Sequence, residues 1–412
     1  MSVIKRLSGN FFALTFMQLS NFLLPLLTYP YLGVVLGAER FGLIMLAQSF
    51  IQYFVLITDF GFNLSATRKI SINRDDAVKV NEIFSAVFII KLCLLFISFI
   101  SMVVIVFLVS RFKEFWYIYI LNFGVVIGNT LFPSWFFQGM EKMKYTTILN
   151  VTSKILFTIF IFLFVKNKSD VYLVPLLNSL GFLIAGTIGF TTAIKKFSIR
   201  LIIPSKGLLI DQLKESAQYF LSRISVSAYT VTNTVLIGLL LGNKMAGYFA
   251  VAEKIANILS VGISTIVDAI YPYMSRNRDI RTFKKIFMFV MVASTVGCIV
   301  IFIISDQIII LLFGKEFLLS SNIFKIMIVA TYISIPSMLI GYPLLAAFGY
   351  ANYANYSVLI ASILHIIAVI IIIPFANIYI ITSVLIVTQL IVLGIRVYGM
   401  KTKLGLSLKE NV

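Results

Sequence analysis

The chain is a succession of apolar runs of about 20 residues, separated by short polar stretches. At 1.5 Å per residue, a helix of that length crosses the roughly 30 Å hydrocarbon layer of a bilayer. Twelve such spans are predicted, at 10–36, 41–66, 83–109, 116–140, 146–165, 171–193, 216–241, 247–273, 285–304, 322–347, 353–373 and 378–399. The runs are continuous rather than alternating, which excludes a β-barrel. Two interruptions share one pattern: Leu36-Gly37, Gly42 and Ala47 return 205 residues later as Leu241-Gly242, Gly247 and Ala252. Pro133 with Gly139 returns as Pro343 with Gly349, at an offset of 210. The chain therefore reads as two copies of one six-helix unit, 1–200 and 201–412. Six is even, so both copies enter the membrane from the same side, as a parallel repeat.

Polar residues inside the spans form stripes. Gln48, Gln52, Asp59 and Asn63 of the second span fall on one helical face at 100° per residue. The 205-residue offset carries them to Glu253, Asn257, Ser264 and Asp268 of the eighth span, and carries Gln18 to Arg223. Ionisable groups at mid-bilayer cost roughly 2.5–3.5 kcal/mol on insertion scales, so they face other helices or water. The amides and Ser264 read first as polar contacts between packed helices, whereas Arg223, Asp59 and Glu253 read as the lining of a water-filled cavity. Asp59 with Lys91, and Arg223 with Asp268, lie at matching depths and are expected to pair. Lys154 is mid-span with no evident acid nearby. Lys325 is expected to snorkel to an outer interface, and Arg396, near an inner end, requires no special role. Pro25, Pro30, Pro133, Pro272, Pro336 and Pro343 mark places where helices can bend.

Composition agrees with this pattern: 60% of residues are hydrophobic, 12% are charged, and mean hydropathy is +1.01. With the N-terminus placed in the cytoplasm, 21 of the 34 Lys and Arg fall in inner segments and seven in outer loops. That bias predicts both termini on the cytoplasmic side. It accounts for much of the net charge of +18 without nucleic acid, with the basic loops lying against anionic lipid. The first apolar run is too long for a signal peptide and is expected to be retained. The longest inner segment, 194–215, reads as the linker between halves, and no outer loop is long enough for a separate domain. Cys93 and Cys298 lie inside spans and read as small hydrophobes.

Catalytic motifs are missing from the sequence. His365, the one histidine, sits in the eleventh span and reads as a packing residue. There is no HExxH, no phosphate-cradling glycine loop and no acidic pair on a soluble loop. The expectation is a protein that is not an enzyme and carries no cofactor or metal.

Several stretches resemble one family. Pro30-Tyr31-Leu32, Leu36-Gly37, Glu39-Arg40-Phe41-Gly42 and Asp59-Phe60-Gly61-Phe62, with Ser65 and Thr67-Arg68, are similar to the amino-terminal signature of bacterial O-antigen flippases. Trp135-Phe136-Phe137-Gln138-Gly139-Met140-Glu141-Lys142 resembles a second landmark, and Leu312-Phe313-Gly314-Lys315-Glu316-Phe317 a third. These flippases belong to the multidrug/oligosaccharidyl-lipid/polysaccharide exporter superfamily. The resemblance implies an all-α protein of twelve helices in two six-helix lobes, with a V-shaped cavity that opens alternately inward and outward. It implies a cargo as well: an undecaprenyl-diphosphate-linked oligosaccharide, moved from the cytoplasmic to the periplasmic leaflet of the inner membrane. On that reading Arg223, Lys154 and Lys254 attract the anion. Gln18, Gln48, Gln52, Asn63 and Asn257 bond sugar hydroxyls. Asp59, Glu253, Asp268 and Lys91 balance charge or bind a coupling H⁺ or Na⁺. An O-antigen polymerase and a chain-length regulator are implied partners. Three rivals remain: a drug/cation antiporter of the same superfamily, a membrane glycosyltransferase or polymerase, and a scaffold for assembly enzymes.

Overall fold

The computed structural model describes residues 3–405. The side chains of Lys5 and Arg6 and the tail residue Lys409, counted above among the basic residues, lie outside the described set. Helices occupy nearly the whole described chain, with no strand among the described residues. In order they are α1 (Val3–Asp59), α2 (Phe62–Asn73), α3 (Ala77–Leu108), α4 (Ser110–Lys113), α5 (Trp116–Leu131), α6 (Ser134–Gly139), α7 (Met143–Phe164) and α8 (Leu173–Lys196). Then follow α9 (Lys206–Thr230), α10 (Thr232–Leu241), α11 (Asn243–Asn277), α12 (Ile280–Ile303), α13 (Ser305–Phe313), α14 (Leu319–Leu339), α15 (Ala351–Ile372) and α16 (Ile378–Leu404). Among the described residues, ten helical stretches are long and apolar enough to cross a membrane. The first, Phe16–Asn73, carries two spans, and the seventh span is divided into α9 and α10, so the predicted twelve-span order is recovered.

The duplicated hinge has a physical cause. Within α1, Gly37 sits at φ 75°, ψ 168°, and between α10 and α11, Gly242 sits at φ 100°, ψ 167°. That backbone region is essentially closed to residues with a Cβ, and each corner turns one span directly into the next. Gly314, in the third landmark motif, adopts the same conformation at φ 86°, ψ 171°. The second repeat pair is less symmetrical. Gly349 is left-handed at φ 94°, whereas Gly139 is a close-packing point, since a Cβ there would meet Ile70 Cβ at 2.7 Å.

Contacts divide the chain into two units, Met1–Ile224 and Ser225–Val412. In the first, the two landmark motifs build one aromatic core. Phe62, Ala66 and Ile70 of α2 pack with Trp135, Phe136 and Phe137 of α6 and with Phe84 and Val87 of α3. The Phe84 ring lies 5.2 Å from Trp135 and 5.4 Å edge-on from Phe136. Pro133 separates α5 from α6 and so lets this short helix fold back onto α2.

The segment read as a linker is mostly helical. Its irregular part is 197–205, tied to α3 by Arg200 N–H to Asn81 Oδ1 (3.0 Å) and Ile202 N–H to Ser85 Oγ (3.0 Å). Helix α9 begins at Lys206, because Leu209 and Leu213 have an apolar core to cover. A Cβ on Gly61 (φ 80°) would come within 2.7 Å of Ser216 O, so the α1–α2 elbow meets the α9 backbone directly. Above and below that point stand Phe60 stacked on Phe220 (4.7 Å), Ser65 Oγ 2.6 Å from Ser216 Oγ, and Lys69 Nζ 2.8 Å from Glu215.

In the second unit, α14, α15 and α16 are pinned by Arg396. Its guanidinium donates to Ser357 Oγ (2.9 Å), Ser337 O (2.8 Å) and Ala354 O (3.1 Å), and occupies the space left by Gly341. This corrects the expectation that Arg396 needs no account. Gly341 lies in the π-helical turn Ile340–Ala346 around Pro343, where the ordinary helical ladder is broken and carbonyls need other donors. Lys325 does not snorkel freely: its Nζ is 2.8 Å from Asp306 Oδ1.

Candidate functional site: a polar cavity in the first unit

Small residues bring α8 close to α5 and α7. A Cβ on Gly186 would collide with Gly128 O, and one on Gly181 would fall 2.9 Å from Ser153 Oγ. The close seam carries Asn178 and Phe182 of α8 to a partly enclosed cavity of about 200 Å³. Lys154 of α7 projects into it, opposite Gln48 and Gln52 beyond the Gly37 corner and Asn122 of α5. The Lys154 ammonium donates to Asn21 Oδ1 at 2.7 Å. Pro25, one turn past Asn21, also lines the cavity and withdraws the N–H that would otherwise bond the Asn21 carbonyl. Thr28, Tyr29, Phe157 and Thr158 complete the wall, with the two threonine hydroxyls 3.2 Å apart.

No carboxylate forms an ion pair with Lys154 among the described residues. Asn122 is 1% exposed, and neither its amide oxygen nor its nitrogen has a hydrogen-bond partner. Such a group carries a desolvation cost unless a ligand or water bonds it. A recess of about 20 Å³ behind Lys154 is lined by Asn129 and Asn150. Lys91, 3% exposed, donates to the Asn129 carbonyl at 3.3 Å.

Asp59 does not form the ion pair with Lys91 expected from matching depth. Its Oδ2 accepts from Arg223 Nη1 at 2.6 Å, and its charge reaches Lys91 only through space. Arg223, matched by the repeat to Gln18 and by depth to Asp268, thus packs with the first unit. The helical stripe of the second span is cut between Asp59 and Asn63 by the elbow at Phe60 (φ 43°) and Gly61. Asn63 therefore leaves the stripe and accepts from Ser134 Oγ at 2.8 Å. Gln18 is exposed and lines no part of the cavity. In the second unit Glu253 and Lys254 are neighbours on α11 whose charges offset each other, while Asn257 and Asp268 are exposed on the same helix. Ser264 Oγ bonds back to Val261 O at 2.9 Å. His365 packs as expected, 2.8 Å from Thr388 Oγ1 and 3.1 Å from Asn233 Oδ1.

Lys154, Gln48 and Gln52 are thus gathered at one site, together with Asn21, Asn122 and Asn178, which sequence reasoning passed over. Each is a lone amide in an apolar run, and that signal was readable. The repeat concealed Asn122, which becomes Met327 at the 205-residue offset; Lys154, which becomes Leu359, was found from its place in mid-span instead.

Apolar helices of membrane-crossing length around a polar, cation-bearing cavity define a multi-pass membrane protein, and its relatives are transporters. The chain belongs to the family described as polysaccharide biosynthesis protein, which matches residues 7–278. It is 32% identical over 282 residues to a candidate O-antigen transporter of Escherichia coli (strain K12), covering 68% of each chain. A second candidate O-antigen transporter, from Shigella dysenteriae, is 29% identical over 258 residues, covering 62% of this chain and 64% of that one. The fold is that of a multidrug resistance MATE family transporter in an inward-facing conformation, with TM-score 0.73, 13% identity and coverage of 97% and 100%. It is also that of the lipid II flippase MurJ in an inward closed conformation, with TM-score 0.69, 15% identity and coverage of 93% and 87%.

Proposed function

We propose that the protein flips an undecaprenyl-diphosphate-linked O-antigen oligosaccharide from the cytoplasmic to the periplasmic leaflet of a bacterial inner membrane. It does so by alternating access, with both termini in the cytoplasm. One observation carries the reading. Among the described residues, the predicted spans of the first unit hold three cations, Lys91, Lys154 and Arg223, and one carboxylate, Asp59, which pairs with Arg223. An interior with two excess positive charges is costly unless the cargo is anionic. A drug/cation antiporter would need the reverse balance.

Lys154, with Gln48 and Gln52, receives the polar head of the cargo in the first unit. Arg223 and Lys254 supply further positive charge, and Gln18, Asn63 and Asn257 offer amides to sugar hydroxyls elsewhere on the route. Asp59, Glu253 and Asp268 balance these cations together with Lys91, or take up H⁺ or Na⁺ as transport proceeds. The acyl tail stays in lipid. The basic loops rest on anionic lipid, and the polymerase and chain-length regulator act on the delivered units.

The test is made in cells lacking every other flippase. Wild-type protein restores surface polysaccharide, whereas Lys154→Met with Arg223→Ala leaves lipid-linked units in the inner leaflet. Normal polysaccharide in the double variant overturns the cation assignment. Failure of the wild type to move any lipid-linked unit overturns the flippase reading.

A further inference from the structure

Resting on the flippase reading, we infer that the Lys154 cavity is a selectivity site for one acidic monosaccharide of the cargo, a pyranose bearing a single carboxylate. The cavity, about 200 Å³, is smaller than the roughly 300–1,000 Å³ of sites for drug-sized ligands. A space of that size matches one sugar ring rather than a whole oligosaccharide.

Its chemistry is that of a sugar site. Gln48, Gln52 and Asn178 offer donors and acceptors at separate points around the rim. Asn122, buried with both amide atoms unbonded, supplies one donor pair and one acceptor inside. The flat apolar faces of Phe157 and Phe182 suit the C–H face of a pyranose, for which a diphosphate has no use.

Charge selects among sugars. Lys154 keeps two of its three donors after bonding Asn21, and no carboxylate pairs with it among the described residues. One ammonium matches one carboxylate. A diphosphate carries at least two charges, and here Lys91 and Arg223 already lie around Asp59. The lysine is also a property of one repeat only, since Leu359 stands at the matching position of the second copy. A site for a feature of the head group that occurs once need not be duplicated.

The inference is tested on the full-length protein in nanodiscs, by thermal unfolding with sodium D-glucuronate, D-glucose or sodium pyrophosphate added in turn. Glucuronate should raise the unfolding midpoint at concentrations at least tenfold lower than glucose. In Lys154→Met the two sugars should become equivalent, Lys154→Arg should retain the preference, and Asn122→Leu should weaken both. Equal effects of glucuronate and glucose on the wild type overturn the inference, as does the absence of any shift. A stronger effect of pyrophosphate that glucuronate cannot displace assigns the cavity to the diphosphate instead. The cellular assay separates the two levels: restored polysaccharide without a glucuronate preference removes only this inference.

Discussion

Arg223 and Asp59, 164 residues apart, form a 2.6 Å ion pair, and the carboxylate is the buried member, with its side chain 11% exposed against 44% for the guanidinium. Removing one partner should hurt more than removing both. Arg223→Gln leaves a carboxylate in a low-dielectric site and should cost about 1–3 kcal/mol, less than a fully buried pair because the arginine is half exposed. Asp59→Asn with Arg223→Gln should recover part of that loss. Unfolding midpoints of the two singles and the double give the coupling, and strict additivity would show that the pair contributes nothing.

The landmark motifs act on folding before transport. Trp135 is 1% exposed and rings of three helices meet around it. Trp135→Ala should cost about 3–5 kcal/mol through the cavity it leaves. Reduced protein level should account for the whole loss of surface polysaccharide, with unchanged transport per folded molecule. A well-folded variant that fails to transport would instead place Trp135 in the cargo path.

Gly186 sets the width of the cavity. Any side chain there strikes the Gly128 carbonyl, so Gly186→Val must push α8 off α5, at a cost of about 1–3 kcal/mol typical of overpacking. Maleimide labelling of Gln48→Cys, in a background without Cys93 and Cys298, should be rapid in an otherwise wild-type chain. It should change by several-fold when Gly186→Val is added. Unaltered labelling would mean that the α5–α8 seam does not shape the site.

Two carboxylates outside the spans give an acid dependence of known sign. Hydrogen bonds from Lys325 and Ser321 hold the Asp306 carboxyl below its ordinary range, and backbone N–H groups of Lys166 and Asn167 do the same for Asp170. A native value below the unfolded one, near 3.9, stabilises the fold above about pH 4. That contribution is lost as the pH falls through the lower native value. Asp306→Asn and Asp170→Asn should each melt earlier than wild type at pH 7, and the gap should close as the pH falls through the lowered native values. A constant gap across that range would refute the assignment.

The twelve spans were legible because a bilayer demands continuous apolar runs, and the duplicated hinge because only glycine tolerates the corner at Gly37 and Gly242. The polar face of the second span was legible as far as Gln48 and Gln52. It failed at Asp59 and Asn63, since helical phase does not survive an elbow such as Phe60-Gly61. The partner of Asp59 was hidden for a different reason. Depth in the membrane can be counted along a sequence, but which helix lies beside which cannot, so depth matched Asp59 with Lys91 and Arg223 with Asp268, whereas Asp59 pairs with Arg223. Lys154 was legible as a lone charge in mid-span, but Asn122 was hidden by the repeat, which drew attention to positions polar in both copies.

The one-residue corners at Gly37 and Gly242 bear on how the chain is made. With no loop between the helices they join, each pair is a helical hairpin as soon as its two helices have formed. The charged groups at those tips are Glu39, Arg40 and Lys244. Each hairpin can therefore partition into lipid as a unit, and its tip offers almost nothing for a protease to grasp.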